Sequence, residues 1–357
     1  MSDDEIKLQT PNIKKLSEEG MLFTNAYSTG AVCQPSRFSI IKGQFPIRKN
    51  ITGTTASLDD RIISDNVKTI GEMFQQNGYQ TAAFGKWHLD YLYTTKNDKT
   101  TTNPQKAALN KPLSLGVNNY GFDYSFWLPK GVSSANFFIE NKNIVRLEKE
   151  NDYQGLKPWL GHKRWETNVY KKGEPQKELD KYVLGDAIVD KALDYMEKAV
   201  RLDKPFFMYV PLVAPHTPHL PNRDINGIPL DKGALNFNGD YVERARQKMV
   251  YENDIIVGQI IEQLKRLNIT DNTIVIFTSD NGPGKPGAKK DDAAGIYKGH
   301  KGTVWEGGTK APLIIKWPNK IKKGAISNAL ISQVDFYDTF KDIIGDSTID
   351  LNKDSKS

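Results

Sequence analysis

Short apolar runs that alternate with longer amphipathic segments constrain the fold of this chain more than any other feature. The runs 206–212 and 273–278 are apolar almost throughout, which is typical of strands buried on both faces of a parallel sheet. The segments 181–201 and 241–267 instead repeat apolar residues at helical spacing. This alternation predicts an α/β fold with a mostly parallel central sheet that is covered by helices on both faces.

The remaining elements are read from the same periodicities. Further helices are predicted at 10–20 and 334–344, and further strands at 21–27, 79–84, 136–140 and 312–317. The first helix is expected to begin at Thr10, with its hydroxyl as the cap and Pro11 at the first helical position.

Composition excludes several classes of protein. No run approaches the roughly 18 apolar residues that a membrane-spanning helix requires, and a single cysteine rules out a disulfide scaffold. Lys and Arg number 49 against 43 Asp and Glu, and the net charge of +6 favours anionic substrates. Nucleic-acid binding is not expected, because the lysines are interspersed with acidic residues and form no basic stripe with aromatic side chains.

The only cysteine, Cys33, lies in the run 33–37, which reads Cys-Gln-Pro-Ser-Arg. Pro35 suits the first turn of a helix, and Gly43 is placed to end that helix. Cys33 is therefore predicted at a helix N-terminus, where unpaired amide groups favour an anion. Arg37 follows one turn later as a fixed cation. The residues alone leave open a buried structural cysteine beside a surface arginine.

Three predicted strands are each followed by side chains that can bind an ion. These are Lys86 and His88 after strand 79–84, His216 after 206–212, and Asp280 with Asn281 after 273–278. In open α/β sheets, ligands bind beyond the carboxyl ends of the strands. We therefore expect these side chains to meet Cys33 at one edge of the sheet.

Some of these candidates have a plainer alternative. Asp280 and Asn281 offer the hard oxygen atoms that Ca²⁺ or Mg²⁺ binds, but Asp-Asn-Gly is also a common turn. Among the other histidines, His162 and His219 are read as structural, and the role of His300 is left open.

The sequence resembles the type I sulfatases, which belong to the alkaline phosphatase superfamily. Five stretches carry the resemblance in the family order: 33–43, 78–88 (Gly-Tyr-Gln-Thr to Gly-Lys-Trp-His), 215–218 (Pro-His-Thr-Pro), 279–282 (Ser-Asp-Asn-Gly) and 301–308 (Lys-Gly-Thr-Val-Trp-Glu-Gly-Gly). They span about Thr10 to Asp338. Gln34 and Lys42 depart from the usual small or hydroxylated residues of the motif.

The resemblance implies a hydrolase of sulfate monoesters that acts on an aryl sulfate or a sulfated glycan. It implies that Cys33 is oxidised to formylglycine by a formylglycine-generating or sulfatase-maturating enzyme, and that the hydrated gem-diol attacks sulfur. Arg37 would orient this diol. Asp280 and Asn281 would ligate Ca²⁺, with Mg²⁺ as the alternative.

The resemblance also assigns roles to the remaining site residues. Lys86 and Lys301 would hold sulfate oxygens. His216 would contact the sulfate and help to protonate the leaving alcohol. His88 would hydrogen-bond the nucleophile and serve in its regeneration.

The expected organisation is a catalytic domain over 1–345, with an insertion at about 89–180 above the site and the start of a C-terminal region at 346–357. We expect truncation at both ends, with the C-terminal subdomain largely missing. Asp3 and Asp4 are either the metal-binding pair that follows the first strand in relatives or part of the loop beyond it. The family implies a periplasmic or secreted protein, although no signal peptide is visible.

Two other functions stay open from the sequence. Related members of the superfamily hydrolyse phosphonate or phosphate monoesters with the same Cys-x-Pro-Ser-Arg site. Alternatively, the chain is a non-catalytic remnant that keeps the fold.

Overall fold

The structure is a computed structural model of the 357-residue chain. It describes residues 8–53, 61–63, 68–103, 106–108, 110–130, 138–145, 184–217, 219, 221, 224–233, 241–285, 293–348 and 353–357. Asp3, Asp4 and His162 lie outside these residues, as does much of the expected insertion at 89–180. Within the described part of the chain, no helix is both long and apolar enough to cross a membrane.

Helices and strands follow one another along most of the described chain. The helices are α1 (Pro11–Glu19), α2 (Cys33–Lys42), α3 (Ile70–Gln76), α4 (Leu184–Arg201), α5 (Tyr241–Arg266), α6 (Glu306–Thr309) and α7 (Phe336–Ile344). The strands are β1 (Met21–Phe23), β2 (Ala26–Tyr27), β3 (Gln80–Lys86), β4 (Tyr93–Thr94), β5 (Thr100–Thr101), β6 (Tyr124–Leu128), β7 (Phe138–Glu140), β8 (Asn143–Val145), β9 (Phe206–Tyr209), β10 (Asp224–Ile225), β11 (Ile228–Pro229), β12 (Val275–Thr278), β13 (Leu313–Lys316), β14 (Ala325–Ser327) and β15 (Ile331–Ser332).

Two sheets form the framework. One has the strand order β8-β7-β6-β3-β9 and the other β12-β13-β1-β14. β3 pairs in parallel with β6 and β9, whereas β13 is antiparallel to β12 and β1. The α/β class is confirmed, and the sheets are mixed rather than mostly parallel. One reason is local: only two residues join β7 to β8, and so short a connection permits only antiparallel pairing.

The start of α1 differs from the sequence prediction. The Thr10 side chain makes no capping hydrogen bond to the described residues. Instead, the Asp254 carboxylate of α5 accepts the backbone N–H groups of Asn12 and Ile13 at 3.2 and 2.8 Å. These amides begin a helix and have no intrahelical partner, so a side chain from a distant helix supplies the cap.

The helix that begins at Cys33 agrees with the prediction. Cys33 is the first residue of α2, and Gly43 ends the helix with a left-handed φ of 60° and a hydrogen bond from its N–H to the Ser39 carbonyl at 2.8 Å. Every residue of α2 is buried. A helix buried all round lies inside the molecule, and Cys33 is therefore an interior residue.

The carboxyl end of β3 is fixed against the chain that follows β9. Gly85 has φ of +106°, and a Cβ atom there would lie 2.3 Å from the Pro211 carbonyl oxygen. This close approach allows the Lys86 N–H to donate to the same oxygen at 2.8 Å. The strand that carries Lys86 is thereby joined to the segment that leads to His216.

β9 and β12 each stand at the end of a strand order. A cavity of about 980 Å³ is lined by both strands and extends to Cys33 and Asp280. The two sheets thus direct the carboxyl ends of β3, β9 and β12 toward one region.

Candidate functional site

The sulfur of Cys33 is the centre of the site. The side chain is 2% exposed, and the ammonium groups of Lys86 and Lys301 lie 3.2 and 3.1 Å from Sγ. The imidazoles of His216 and His88 also hydrogen-bond to it. Two cations and two rings therefore surround a single buried thiol.

The neighbouring side chains outweigh the effect of burial on the pKa of the Cys33 thiol. Burial and the Asp280 carboxylate raise the pKa of Cys33, because both disfavour a second negative charge. The hydrogen bonds from His216 and His88 and the charge of Lys86 lower it more strongly, and the pKa falls to about 4. The position is therefore built to stabilise an anion.

Arg37 joins the nucleophile helix to the end of β12. Its Nε–H donates to Asp280 Oδ2 at 2.8 Å, and its Nη1–H donates to the Lys86 carbonyl. Burial raises the pKa of Asp280, but the charges of Arg37, Lys86 and Lys301 oppose it and hold the pKa well below its usual range. Burial also lowers the pKa of Lys86, with Arg37 adding to the effect and the negative groups opposing it.

His88 stands in a constrained position beside Cys33. Its φ is +56°, and its N–H donates to the Pro129 carbonyl at 2.8 Å. Burial lowers the pKa of His88 to about 4, against the opposing hydrogen bond to Cys33. Its Nδ1 is buried and finds no hydrogen-bond partner among the residues that the structure describes. The ring is therefore neutral at pH 7.

The orientation of the His216 ring follows from its contacts. Nδ1 lies 2.6 Å from the Thr217 carbonyl oxygen, which can only accept, and so Nδ1 carries the hydrogen. The hydrogen bond to Cys33 then falls to Nε2. The contact with Thr217 thus fixes the orientation of the ring and directs Nε2 toward Cys33.

Asp280 and Asn281 have oxygen atoms that are available to ligate a hard cation. The Asn281 amide nitrogen donates to the Gly282 carbonyl at 2.8 Å, while its Oδ1 is buried with no hydrogen-bond partner in the described part of the chain. This oxygen and the neighbouring carboxylate are ligands that Ca²⁺ or Mg²⁺ accepts. No group of three or more His, Cys, Asp or Glu is placed to hold a metal within the described ranges. The two residues alone offer oxygen atoms of the kind that a hard cation accepts, but not a complete coordination shell.

The predicted site residues are brought together. The contacts above link seven of them: Cys33, Arg37, Lys86, His88, His216, Lys301 and Asp280. The eighth, Asn281, follows Asp280 directly in the sequence. The Nδ1–H of His300 donates to the Lys301 carbonyl at 2.8 Å, because a carbonyl oxygen can only accept.

Two residues near the site were not identified from the sequence. His219, read from the sequence as structural, is 4% exposed. Burial lowers its pKa to about 4, and the charges of Arg246 and His216 add to this effect. Asn253 of α5 donates to the Ala214 carbonyl at 2.8 Å. A signal for Asn253 was present, because it interrupts an apolar helical face four residues after Met249.

The fold and the site define a class of α/β protein in which lysines and imidazoles gather around one buried cysteine at the carboxyl ends of the strands. The chain belongs to the sulfatase family, whose model matches residues 3–345. The resemblance seen in the sequence is confirmed.

Two curated relatives illustrate the similarity. The chain is 31% identical to an N-acetylgalactosamine-6-O-sulfatase of Bacteroides thetaiotaomicron, over 93% of this chain and 67% of that protein. It is 32% identical to an uncharacterized sulfatase of Escherichia coli, over 97% of this chain and 55% of that protein. The chain thus spans 55 to 67% of the length of these relatives.

A solved structure shows the same fold. It comes from work on the metabolism of multiple glycosaminoglycans by Bacteroides thetaiotaomicron, with a TM-score of 0.75 and 27% identity. The match covers 99% of this chain and 76% of that one.

Proposed function

We propose that this chain hydrolyses sulfate monoesters and that its natural substrate is a sulfated glycan. One observation carries the proposal: Lys86 and Lys301 place their ammonium groups 3.2 and 3.1 Å from the buried Cys33 sulfur, beside two imidazoles. The glycan class is supported by the relative that acts as an N-acetylgalactosamine-6-O-sulfatase.

Residue 33 provides the nucleophile in this proposal. When Cys33 is converted to formylglycine, the residue carries a hydrated aldehyde. A hydroxyl of this group attacks sulfur, and the thiol, which is poorly suited to sulfate transfer, takes no part. Arg37 orients this group from one turn along α2 and offsets its charge. A sulfatase-maturating enzyme would be the partner for the conversion, and the expected location is the periplasm or the cell exterior.

The cations of the site bind the sulfate group. Negative charge spreads over the sulfate oxygens during transfer, and fixed donors in a dry site stabilise it without reorganisation. Lys86 and Lys301 lie beside residue 33, and Lys86 is at the buried end of β3. Asp280 and Asn281 would hold Ca²⁺, or Mg²⁺ as the alternative, which supplies a further positive charge to a sulfate oxygen.

The two imidazoles divide the proton transfers. His216 holds its Nδ1–H on Thr217 and presents Nε2 to the reaction. In its protonated form it would donate the Nε2 proton to the leaving alcohol. His88 has a pKa near 4 and is neutral at pH 7. It can therefore accept the proton of the nucleophile and serve as the base when residue 33 is regenerated.

The test uses the chain produced together with a formylglycine-generating enzyme. The mass of the peptide that contains residue 33 should fall by the difference between SH₂ and O. This protein should then release sulfate from N-acetylgalactosamine 6-sulfate in the presence of Ca²⁺, and a Cys33→Ala variant should not. Converted protein that releases no sulfate from any ester would favour the non-catalytic remnant.

A further inference from the structure

We infer that Asn253 is a positioning residue for His216, and that it controls how well His216 protonates the leaving group. The inference deepens the proposed function and rests on it. Asn253 lies in α5, and its Nδ2 donates to the Ala214 carbonyl at 2.8 Å. Ala214 stands two residues before His216.

Apart from the contact of the His216 ring with Cys33, the other hydrogen bonds described for this turn are local. The His216 N–H donates to the Val213 carbonyl at 3.1 Å, and the ring donates to Thr217 at 2.6 Å. The His219 ring also bonds to the Pro215 backbone. These local bonds lie within seven consecutive residues and fix the shape of the turn. The contact of the His216 ring with Cys33 and the bond from Lys86 to Pro211 attach it to the site. Asn253 adds a tie to a long helix.

The helix is itself held firmly at this point. The next residue, Asp254, is fully buried and accepts three hydrogen bonds from the start of α1: two from Asn12 and one from Ile13. A side chain on a rigid element holds a functional group more accurately than a loop alone. α5 therefore holds Asn253 in a fixed position.

An amide at this position needs an explanation. Asn253 shares its helical face with the buried apolar residues Met249 and Ile256, and its Oδ1 is buried without a hydrogen-bond partner in the described part of the chain. A buried amide oxygen without a partner is unfavourable, and such a group calls for an explanation. The hydrogen bond to the Ala214 carbonyl is the explanation that the contacts of Asn253 offer.

The chemical consequence is specific. In the proposed reaction a hydroxyl oxygen of hydrated residue 33 forms a bond to sulfur and passes its proton to His88. The S–O bond to the alcohol breaks with its electron pair going to the leaving oxygen, and the protonated His216 ring gives that oxygen its Nε2 proton. A misplacement of about 1 Å can cost roughly 10²-fold in rate. The loss is greatest for a poor leaving group, which depends on the proton, and small for 4-nitrophenolate, which leaves as an anion.

The experiment compares Asn253→Ala with Gln259→Ala, a half-buried polar residue on the same helix whose Oε1 is also unpartnered among the described residues. For Asn253→Ala, we expect kcat on N-acetylgalactosamine 6-sulfate to fall about 10- to 100-fold. On 4-nitrophenyl sulfate the fall should be less than about threefold, and Gln259→Ala should change the two substrates equally. Equal losses on both substrates for Asn253→Ala would overturn the inference.

A second variant and a second readout keep the test decisive. Asn253→Asp keeps the side-chain shape but removes the donor, and it replaces the alanine variant if that variant does not fold. The NMR signals of the His216 ring should shift in the Asn253 variant and stay unchanged in Gln259→Ala. This holds even if the wild type hydrolyses no sulfate ester, and unchanged His216 signals would reject the positioning role independently of the proposed function.

Discussion

Arg37 Nε lies 2.8 Å from Asp280 Oδ2 and connects α2, one turn after Cys33, to the segment that follows β12. The two side chains are 6% and 19% exposed. Breaking such a largely buried pair costs about 3–5 kcal/mol, because Asp280 loses its hydrogen-bonded counter-charge and keeps only the charges of Lys86 and Lys301.

The first prediction concerns this ion pair. Arg37→Met should lower the free energy of unfolding by about 3–5 kcal/mol, measured by urea denaturation at pH 7. Lys14→Met, which removes an exposed pair with Glu18, should cause little change. Similar losses in the two variants would contradict the prediction.

The second prediction concerns the thiol of the unconverted chain. The pKa of Cys33 is lowered to about 4, whereas an ordinary thiol titrates near 8.5. The thiolate absorbance in the ultraviolet should therefore already be complete at pH 6. Lys86→Met removes one of the stabilising charges and should move the titration to higher pH. A wild-type transition near pH 8 would refute this account of the site.

The third prediction concerns Glu252 of α5. Burial, together with the negative charge of Asp186, raises the pKa of Glu252 to about 8. Between pH 4.5 and 8 the unfolded chain loses this proton while the folded chain retains it, so stability falls as pH rises through this window. The slope contributed is at most about 1.4 kcal/mol per pH unit.

Glu252→Gln should remove this slope and make the protein more stable at pH 8 than the wild type. Urea denaturation at pH 5, 6.5 and 8 measures it. Glu262→Gln, an exposed glutamate on the same helix, is the control and should leave the slope intact. A slope that persists in Glu252→Gln would assign it to other groups.

The fourth prediction concerns Gly85. A Cβ atom there would lie 2.3 Å from the Pro211 oxygen, whereas Gly78, with φ of +82°, has nothing within 4 Å. Gly78→Ala should therefore cost only backbone strain, on the order of 1–2 kcal/mol. Gly85→Ala should cost clearly more, since it adds a collision that displaces Lys86. Thermal unfolding compares the two variants, and equal costs would show that the close approach is unimportant.

The sequence predicted those features that depend on local pattern. The apolar runs before His216 and Asp280 correspond to β9 and β12, and the Pro35 and Gly43 positions marked α2 correctly. Because strand ends collect ligands in α/β sheets, the gathering of the site residues also followed from local information.

Other features depend on partners far away in sequence. The cap of α1 comes from Asp254, 242 residues beyond Asn12, and no local pattern at Thr10 signals it. The antiparallel direction of β13 also depends on which strands become neighbours. Asn253 and His219 acquire significance only through the position of the turn that carries His216.

The most direct test of the account is the ratio of kcat/KM for 4-nitrophenyl sulfate to that for 4-nitrophenyl phosphate. It is measured on the formylglycine-containing protein with Ca²⁺. The account predicts faster hydrolysis of the sulfate and a matching loss of that activity in Lys86→Met and Lys301→Met. A sulfate ester hydrolysed orders of magnitude more slowly than the phosphate ester would contradict it and would favour a phosphate or phosphonate monoester hydrolase.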